Sequence, residues 1–341
     1  MKKIFLSLVL AVSGLTLTLA QPPVKSPHRP ANTPHSSPPI SFRYAARVAR
    51  RAVVSVRSDA VIGSGVIIAD SGYIVTNFHV VDHGSTIRVM LHDERSFRAT
   101  LVGFDQRTDL ALLRIDAGAL PFLHYAASGS IDVGDVVLAV GHPFGLPEAV
   151  TMGIVSAKGR TEVWREGGNA AGAFLQTDAV VNPGNSGGAL VDLHGRLAGL
   201  TDAIATPTGE YAGYSYAIPA EIVEKTVRDL IRFGKVLHGD LGVAVSKMDT
   251  AQAHRLGFAW PTGLYVDSID ASGPAAKAGL RRGDVITSIN EYAVESTTRF
   301  QELVARHNGG ETISLAYARE GNIYRCYPRL QWESHTTRQD H

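Results

Sequence analysis

The sequence predicts a mainly β protein in which two antiparallel β-barrels precede a small α+β domain. Between residues 53 and 218, short apolar runs recur in two sets of six, separated by Gly, Asp and Ser. Short, regularly spaced runs of this kind are typical of antiparallel barrels, whereas the strands of a parallel sheet alternate with helices. After residue 219 a helical pattern and a shorter β-rich region follow. The first two-thirds and the last third of the chain are therefore predicted to fold differently.

The predicted strands of the first barrel are residues 53–57, 65–69, 73–77, 86–91, 99–104 and 110–115. Those of the second barrel are residues 135–141, 151–157, 173–177, 189–193, 197–203 and 213–218. Two closed barrels leave a cleft between them, where an extended polypeptide can be held.

A helix is predicted at residues 220–233, between the second barrel and the last domain. Pro219 starts it and Gly234 ends it, as is usual for these residue types. Val223 and Val227 lie on one face, and the opposite face is charged, which predicts a surface helix. We take residues 220–237 as the connection between the two domains.

Composition excludes several classes of function. The chain has 341 residues with 33 basic and 32 acidic side chains, so its net charge of +1 gives no field that would attract nucleic acid. A single cysteine, Cys326, excludes an internal disulfide, and no cysteine-based metal site is expected. The sequence predicts neither a metal ion nor a cofactor. Cys326 should pack as a small apolar residue on a late strand.

The N-terminus reads as an export signal. Two lysines precede an uncharged run at residues 4–20, and residues 18–20 form a small-residue cleavage site. The run is at the lower limit of about 17–25 residues for a membrane span, so a cleaved signal peptide is favoured over a retained anchor. Residues 21–41 are rich in proline and predict an extended linker. We therefore expect a periplasmic protein, with a membrane anchor as the alternative.

Residues 182–188, which we call the serine turn, read Asn-Pro-Gly-Asn-Ser-Gly-Gly. Glycines beside Ser186 allow positive φ and leave backbone N–H groups unobstructed. Such groups can converge on one oxygen, as an oxyanion hole requires. On its own the turn is also ordinary hairpin chemistry, so further residues are needed to decide.

Two upstream residues complete a catalytic pattern. His79 ends a β-rich run, and Asp109 opens an apolar strand. A serine needs an imidazole to take its proton, and the imidazole needs a carboxylate to orient it. Asp105 competes for that role, but it lies in a polar turn, so Asp109 is preferred. The order His79, Asp109, Ser186 is that of chymotrypsin-like double-barrel enzymes.

Longer motifs resemble the HtrA (Deg) family of trypsin-like serine proteases. They are Gly-Ser-Gly-Val-Ile-Ile at 63–68, Gly-Tyr-Ile-Val-Thr-Asn-Phe-His-Val-Val at 72–81, Asp-Leu-Ala-Leu-Leu at 109–113, Val-Gly-His-Pro-Phe-Gly-Leu at 140–146 and Gln-Thr-Asp-Ala at 176–179. The resemblance implies a protease domain at residues 42–219 with the triad above. It also implies an oxyanion hole at Gly184, Asn185 and Ser186, formed by the N–H groups of the first and last, and a homotrimer.

The last domain, residues 238–331, resembles the PDZ domain that these proteases carry, and residues 332–341 read as a tail. The motifs are Ser-Gly-Pro-Ala-Ala-Lys-Ala-Gly-Leu at 272–280 and Arg-Gly-Asp-Val-Ile-Thr-Ser-Ile-Asn at 282–290. We expect the loop of Asp240, Leu241, Gly242 and Val243 to bind a peptide carboxylate beside a free sheet edge. A helix at residues 297–307 should flank that groove. The alternative is a small α+β domain without a ligand.

One segment departs from the resembled family. That family reads Gly-Ile-Asn-Thr-Ala where this chain has Gly-Leu-Thr-Asp-Ala at 199–203. We expect the substrate pocket here, formed by Thr201, Asp202, Ala203, Ile204 and Ala205, with Ile204 and Ala205 as an apolar wall that favours small aliphatic side chains. Asp202 could change the substrate preference or the basicity of His79, or it could point outward. The loop at residues 161–173 lies where the resembled family couples ligand signals to the active site. Arg165 is either its charged sensor or simply a solvated arginine.

Three functions are consistent with these features. The first is an ATP-independent endopeptidase of protein quality control that cleaves unfolded or mislocalised proteins and binds hydrophobic C-terminal peptides. The second is a membrane-anchored protease that cleaves one signalling partner. The third is a chaperone or peptide-binding protein with little catalysis, which the intact triad argues against.

Overall fold

The computed structural model describes residues 41–59, 61–82, 84–142, 148–160, 174–202, 213–259 and 261–332. The described part begins with a helix, α1 (Phe42–Ala52), that the sequence analysis missed. The hydroxyl of Ser41 caps it by accepting from the N–H of Tyr44 at 3.1 Å. Its buried face consists only of alanines, Ala45, Ala49 and Ala52, and the rest is largely basic. A stripe of such small side chains gives a weak hydrophobic signal, which explains the omission.

The first barrel is closed and has the strand order β1-β2-β3-β6-β5-β4. Its strands are β1 (Val53–Arg57), β2 (Ile62–Ile67), β3 (Tyr73–Asn77), β4 (Ile87–Met90), β5 (Ser96–Asp105) and β6 (Leu110–Ile115). The second barrel is also closed, in the order β10-β11-β12-β9-β8-β7. Its strands are β7 (Val136–Gly141), β8 (Ala149–Arg160), β9 (Phe174–Thr177), β10 (Ala189–Val191), β11 (Leu197–Thr201) and β12 (Ser215–Pro219). The predicted double barrel is confirmed, with differences only at strand ends.

One hydrophobic cluster joins the two barrels. It contains Ala45 of α1, Val66 of the first barrel, Leu138 of the second and Val223 of helix α2 (Ala220–Phe233), all of them buried. Burial of apolar surface therefore fixes the barrels against each other and holds both helices across their junction.

Helix α2 begins after Pro219 and ends at Gly234, whose φ is 70°, as predicted. Part of its charged face is buried, in contrast to the prediction of a surface helix, although the side chains of Glu224 and Arg228 reach solvent. Lys225 and Asp229 are 4% and 1% exposed, and their side chains pair at 3.0 Å. Periodicity separates apolar from charged faces, but it does not show that a following domain covers the charged one.

The last domain contains a sheet in the order β14-β15-β16-β18-β19, with β17 paired to β16. Its elements are β13 (Gly239–Asp240), β14 (Val243–Lys247), α3 (Thr250–Arg255), β15 (Leu264–Ile269), α4 (Pro274–Lys277), β16 (Val285–Ile289), β17 (Tyr292–Ala293), α5 (Thr297–Ala305), β18 (Leu315–Arg319), β19 (Asn322–Cys326) and β20 (Gln331–Trp332). Trp332, assigned to the tail by the sequence, pairs with Gly239 and so belongs to the domain. Cys326 is buried in the core of this domain, as expected.

Several predictions fall outside the described residues. They are the signal peptide or anchor, most of the proline-rich linker, the Arg165 loop and the residues 203–205 of the expected pocket. Within the described ranges, every helix is too short or too polar to cross a membrane.

Candidate active site and peptide groove

The serine turn lies between β9 and β10, and its backbone geometry sets the direction of its N–H groups. Gly184 has φ 98°, and the N–H of Asn185 donates to the carbonyl of Asn182 at 2.9 Å. Pro183 in the second position and a positive-φ glycine in the third are features of a type II turn. The N–H of Asn185 is thus used inside the turn. Among the described residues, the N–H groups of Gly184 and Ser186 have no protein acceptor.

Strand β11 clamps the second half of the turn through Thr201. The hydroxyl of Thr201 donates to the carbonyl of Asn185 at 2.6 Å. Its carbonyl accepts from the N–H of Gly187 at 2.8 Å, and its own N–H donates to the carbonyl of Gly188 at 2.9 Å. Thr201 was predicted as a wall of the substrate pocket, and the structure shows its hydroxyl bonded to the serine turn instead.

Ser64 of the first barrel reaches across to the same turn. Its N–H donates to the carbonyl of Ser186 and its hydroxyl donates to the carbonyl of Gly184, both at 2.8 Å. The hydroxyl also accepts from the N–H of His142 at 2.8 Å. Ser64 is fully buried and His142 nearly so. No role for Ser64 was predicted from the sequence, although the glycines on both sides of it are a signal of close packing.

The glycine after Ser186 is required by this contact. Gly187 has φ 83°, and a Cβ atom at this position would lie 2.2 Å from the carbonyl oxygen of Ser64. No side chain fits at that distance, and positive φ disfavours most residues other than glycine. The Ser-Gly pair in the turn therefore follows from the packing of one barrel against the other.

His79 and Asp109 form the second half of the site. His79 lies in a single 3₁₀ turn (Phe78–Val80) directly after β3. Asp109 has φ 54°, a left-handed conformation that aspartate tolerates better than most residues. One of its carboxylate oxygens accepts from the N–H of His79 at 3.0 Å, and the other lies 2.7 Å from Nδ1 of the ring. The carboxylate thus fixes both the backbone and the ring of His79, while the side chain stays 32% exposed.

Asp202 lies beside this pair and is 1% exposed. One of its carboxylate oxygens, one ring nitrogen of His79 and one carboxylate oxygen of Asp109 all lie within 4.8 Å of one another. Because Thr201, its neighbour in the chain, bonds to the serine turn, Asp202 lies where the turn and the His79–Asp109 pair meet. The outward orientation left open by the sequence is therefore wrong, and the expected pocket formed with residues 203–205 stays a prediction.

Asp105, the rejected alternative to Asp109, connects the domains. It accepts from the hydroxyl of Thr108 at 2.6 Å and lies 3.2 Å from the ring nitrogen Nε2 of His238. Burial raises the pKa of Asp105, but the hydrogen bond and charge of His238 and the hydrogen bonds from Thr108 together outweigh it, so its pKa is lowered overall.

A groove of about 340 Å³ lies beside edge strand β14 and helix α5. Its lining includes Leu241 and Val243 from the predicted carboxylate loop, together with Arg107 and His238. Gly242 has φ 70°, as a tight loop requires, but its N–H donates to a carboxylate oxygen of Asp240 at 3.0 Å. One of the donors expected for a peptide carboxylate is therefore already engaged. Helix α5 ends at Ala305, two residues before the predicted end.

Polar contacts hold helix α2 against the last domain. Asp229 accepts from Asn308 at 3.2 Å, and Arg306 lies 3.4 Å from Glu221. Lys225 donates to the carbonyl of Leu237, at the end of the connecting segment, at 2.7 Å. The charged face of α2 therefore carries part of the contact between the domains.

Comparisons with known proteins agree with this architecture. Residues 63–200 match the trypsin-like peptidase domain, and residues 239–325 match the PDZ domain. The periplasmic serine endoprotease DegP of Escherichia coli (strain K12) is 40% identical over 275 residues, which cover 80% of this chain and 57% of that protein. A probable periplasmic DegP-like endoprotease of Chlamydia trachomatis is 40% identical over 263 residues, covering 77% and 52%. The chain thus spans about half the length of the curated relatives it matches.

Solved structures match over nearly their whole length. The HtrA-type protease AlgW with a tripeptide is 39% identical, has a TM-score of 0.70, and is covered to 97% by 86% of this chain. A serine endoprotease from Yersinia pestis is 36% identical with a TM-score of 0.58, covered to 98% by 86% of this chain. The predicted family is confirmed by these matches. The curated relatives are named periplasmic serine endoproteases, in agreement with the predicted class and location. The chain belongs to the HtrA family of trypsin-like serine proteases.

Proposed function

We propose that this protein is an exported, ATP-independent serine endopeptidase that cleaves unfolded or mislocalised proteins. Ser186 attacks the scissile carbonyl, and His79 takes its proton and returns it to the leaving amine. Asp109 orients His79 and stabilises its charged form. The N–H groups of Gly184 and Ser186 bind the oxyanion, while the N–H of Asn185 stays within the turn.

The paired contact of Asp109 with His79 is the observation that carries this proposal. A carboxylate 2.7 Å from Nδ1 holds the proton on that nitrogen and leaves Nε2 as the base. In addition, the N–H groups of Gly184 and Ser186 have no acceptor among the described residues, and a purely structural barrel has no need for two such groups beside a serine. The signalling protease remains a second candidate, and the chaperone without catalysis is disfavoured.

Replacing the nucleophile tests the reaction. We expect Ser186→Ala to stop hydrolysis of unfolded casein and labelling by a fluorophosphonate, since losing the nucleophile of such a triad costs about 10⁶ in rate. Casein binding and the thermal unfolding midpoint should stay close to wild type. Hydrolysis by the variant at the wild-type rate would place the nucleophile elsewhere.

We further propose that the groove binds hydrophobic peptides by their free C-terminus. Strand β14 is an edge of its sheet, so a peptide can pair with it as an added strand. Leu241, Val243 and Phe300 supply apolar lining. The N–H of Gly242 already donates to Asp240, so the carboxylate of a bound peptide needs a positively charged side chain nearby. Arg107 lines the same groove and can provide that charge.

Peptide binding can be measured with a fluorescent hydrophobic peptide and its C-terminal amide. We expect Val245→Glu, in the groove, to abolish binding. Ile323→Glu is the matched control, because Ile323 is 78% exposed on β19, the opposite edge of the sheet. Arg107→Gln should remove the preference for the free carboxylate. Equal binding of acid and amide by the wild type would contradict the proposed C-terminal recognition.

The same peptide should regulate cleavage. Coupling between such sites is typically 1–3 kcal/mol, which corresponds to roughly 5- to 150-fold activation of a reporter peptide. Unchanged turnover at saturating peptide would leave the groove as a substrate tether. The homotrimer and the retained membrane anchor stay predictions, to be tested by analytical ultracentrifugation and by sequencing the mature N-terminus.

A further inference from the structure

The end of β11 places a second carboxylate at the proposed catalytic histidine. The N–H of Asp202 donates to the carbonyl of Tyr216 on β12 at 2.9 Å, which fixes its backbone. Its side chain is turned inward, is almost completely buried and meets His79 and Asp109 within 4.8 Å. Three different parts of the fold thus supply the facing titratable groups. They are the 3₁₀ turn, the segment before β6, and the residue directly after β11.

Two buried carboxylates at this distance repel each other, and each is costly to bury without a positive partner. A protonated imidazole close to both offsets both charges. The charged form of His79 is consequently stabilised more than it would be by Asp109 alone. His79 takes this charged form when it removes the proton of Ser186, so the effect falls on the transition state.

We propose that Asp202 is a positioning residue that acts through His79 and, together with Asp109, stabilises its imidazolium form. This inference rests on the proposed function, in which His79 is the base. It has two opposite consequences. Once His79 is deprotonated in the free enzyme, the reaction is faster than it would be without Asp202. However, a higher pH is needed to deprotonate His79 than would be needed without Asp202.

The test is the pH profile of kcat/KM for a reporter peptide, measured from about pH 5 to about pH 9 around the usual range of histidine titration. For Asp202→Asn we expect the acid limb to move to lower pH by about one unit, the smallest effect usual for an opposite charge this close. At high pH kcat should fall at least severalfold with little change in KM. The two profiles then approach or cross in acid, which general damage to the fold would not produce.

Three further variants make the test specific. Asp202→Glu should give a profile closer to that of wild type than Asp202→Asn does. Asp202→Thr introduces the residue of the resembled motif and should shift the profile as Asp202→Asn does. It takes the place of Asp202→Asn in the test if Asp202→Asn folds poorly. Asp192→Asn is the matched control, because Asp192 is also buried in the second barrel but bonds to His194 and Arg196. Its acid limb should match that of wild type.

The outcomes separate this inference from the proposed function. An unmoved acid limb and an unchanged kcat in both Asp202→Asn and Asp202→Thr would overturn the role of Asp202 while leaving the triad intact. An equal shift in Asp192→Asn would also overturn it. By contrast, hydrolysis by Ser186→Ala would refute the proposed function itself.

Discussion

Replacing Ser64 by alanine should lower both the stability of the protein and the activity of the site, for two different reasons that can be measured separately. The change removes one hydroxyl, which donates to the carbonyl of Gly184 and accepts from the N–H of His142, each at 2.8 Å. Each buried polar group that loses its partner costs about 1–3 kcal/mol. Because Gly184 is only half-buried, we expect the free energy of unfolding to fall by about 2–4 kcal/mol.

Activity should fall as well, for a separate reason. The carbonyl of Gly184 lies between the two peptide groups that supply the proposed oxyanion donors. Losing about 1 kcal/mol of anchoring changes the population of the ordered turn about fivefold, and complete loss of one donor costs about 10²–10³ in kcat. We therefore expect kcat to drop by about 5- to 100-fold while KM changes little.

The assay combines urea unfolding with steady-state kinetics on a reporter peptide at a temperature where both proteins are folded. Ser55→Ala is the control, because Ser55 lies opposite Ser64 on β1 and its hydroxyl makes no hydrogen bond within the described ranges. That variant should keep full activity. A kcat for Ser64→Ala within twofold of wild type, at whatever stability, would refute the anchoring argument.

Three other outcomes are expected. Gly187→Ala should abolish activity and reduce soluble expression, since its Cβ would collide with the carbonyl of Ser64; activity assays of purified protein check this. The lowered pKa of Asp105 stabilises the fold above the ordinary aspartate range near pH 4, and this stabilisation is lost as the pH falls through the lowered value. The difference in thermal midpoint between wild type and Asp105→Asn should therefore shrink in acid. Burial raises the pKa of Cys326 to about 11, so its thiol should react with a thiol reagent at pH 8 only after urea is added.

The sequence predicted those parts of the structure that local chemistry determines. His79, Asp109 and the serine turn were recognised because their motifs combine special residue types with strand boundaries. Contacts between distant segments were not predictable in the same way. Ser64 reads as one small residue in a strand, and its role depends on which loop of the other barrel lies against it.

The direction of a side chain at the end of a strand could not be predicted from the sequence either. Alternation along β11 does not decide the orientation of Asp202, because pairing ends at Thr201. In α2, Lys225 and Asp229 have the spacing of an exposed ion pair, and only the domain that follows buries them. Helix α1 was missed because alanine contributes little to hydrophobic periodicity.

The division of the active site between the two barrels has a consequence for the life of the chain before it is fully folded. His79 and Asp109 belong to the first barrel, and Ser186 belongs to the second. Under the proposed mechanism, neither barrel alone contains a complete set of reacting groups, so a chain with only one barrel folded is expected to be inactive. Proteolytic activity is then expected only once the second barrel has closed against the first, which limits damage to the chain itself while it folds.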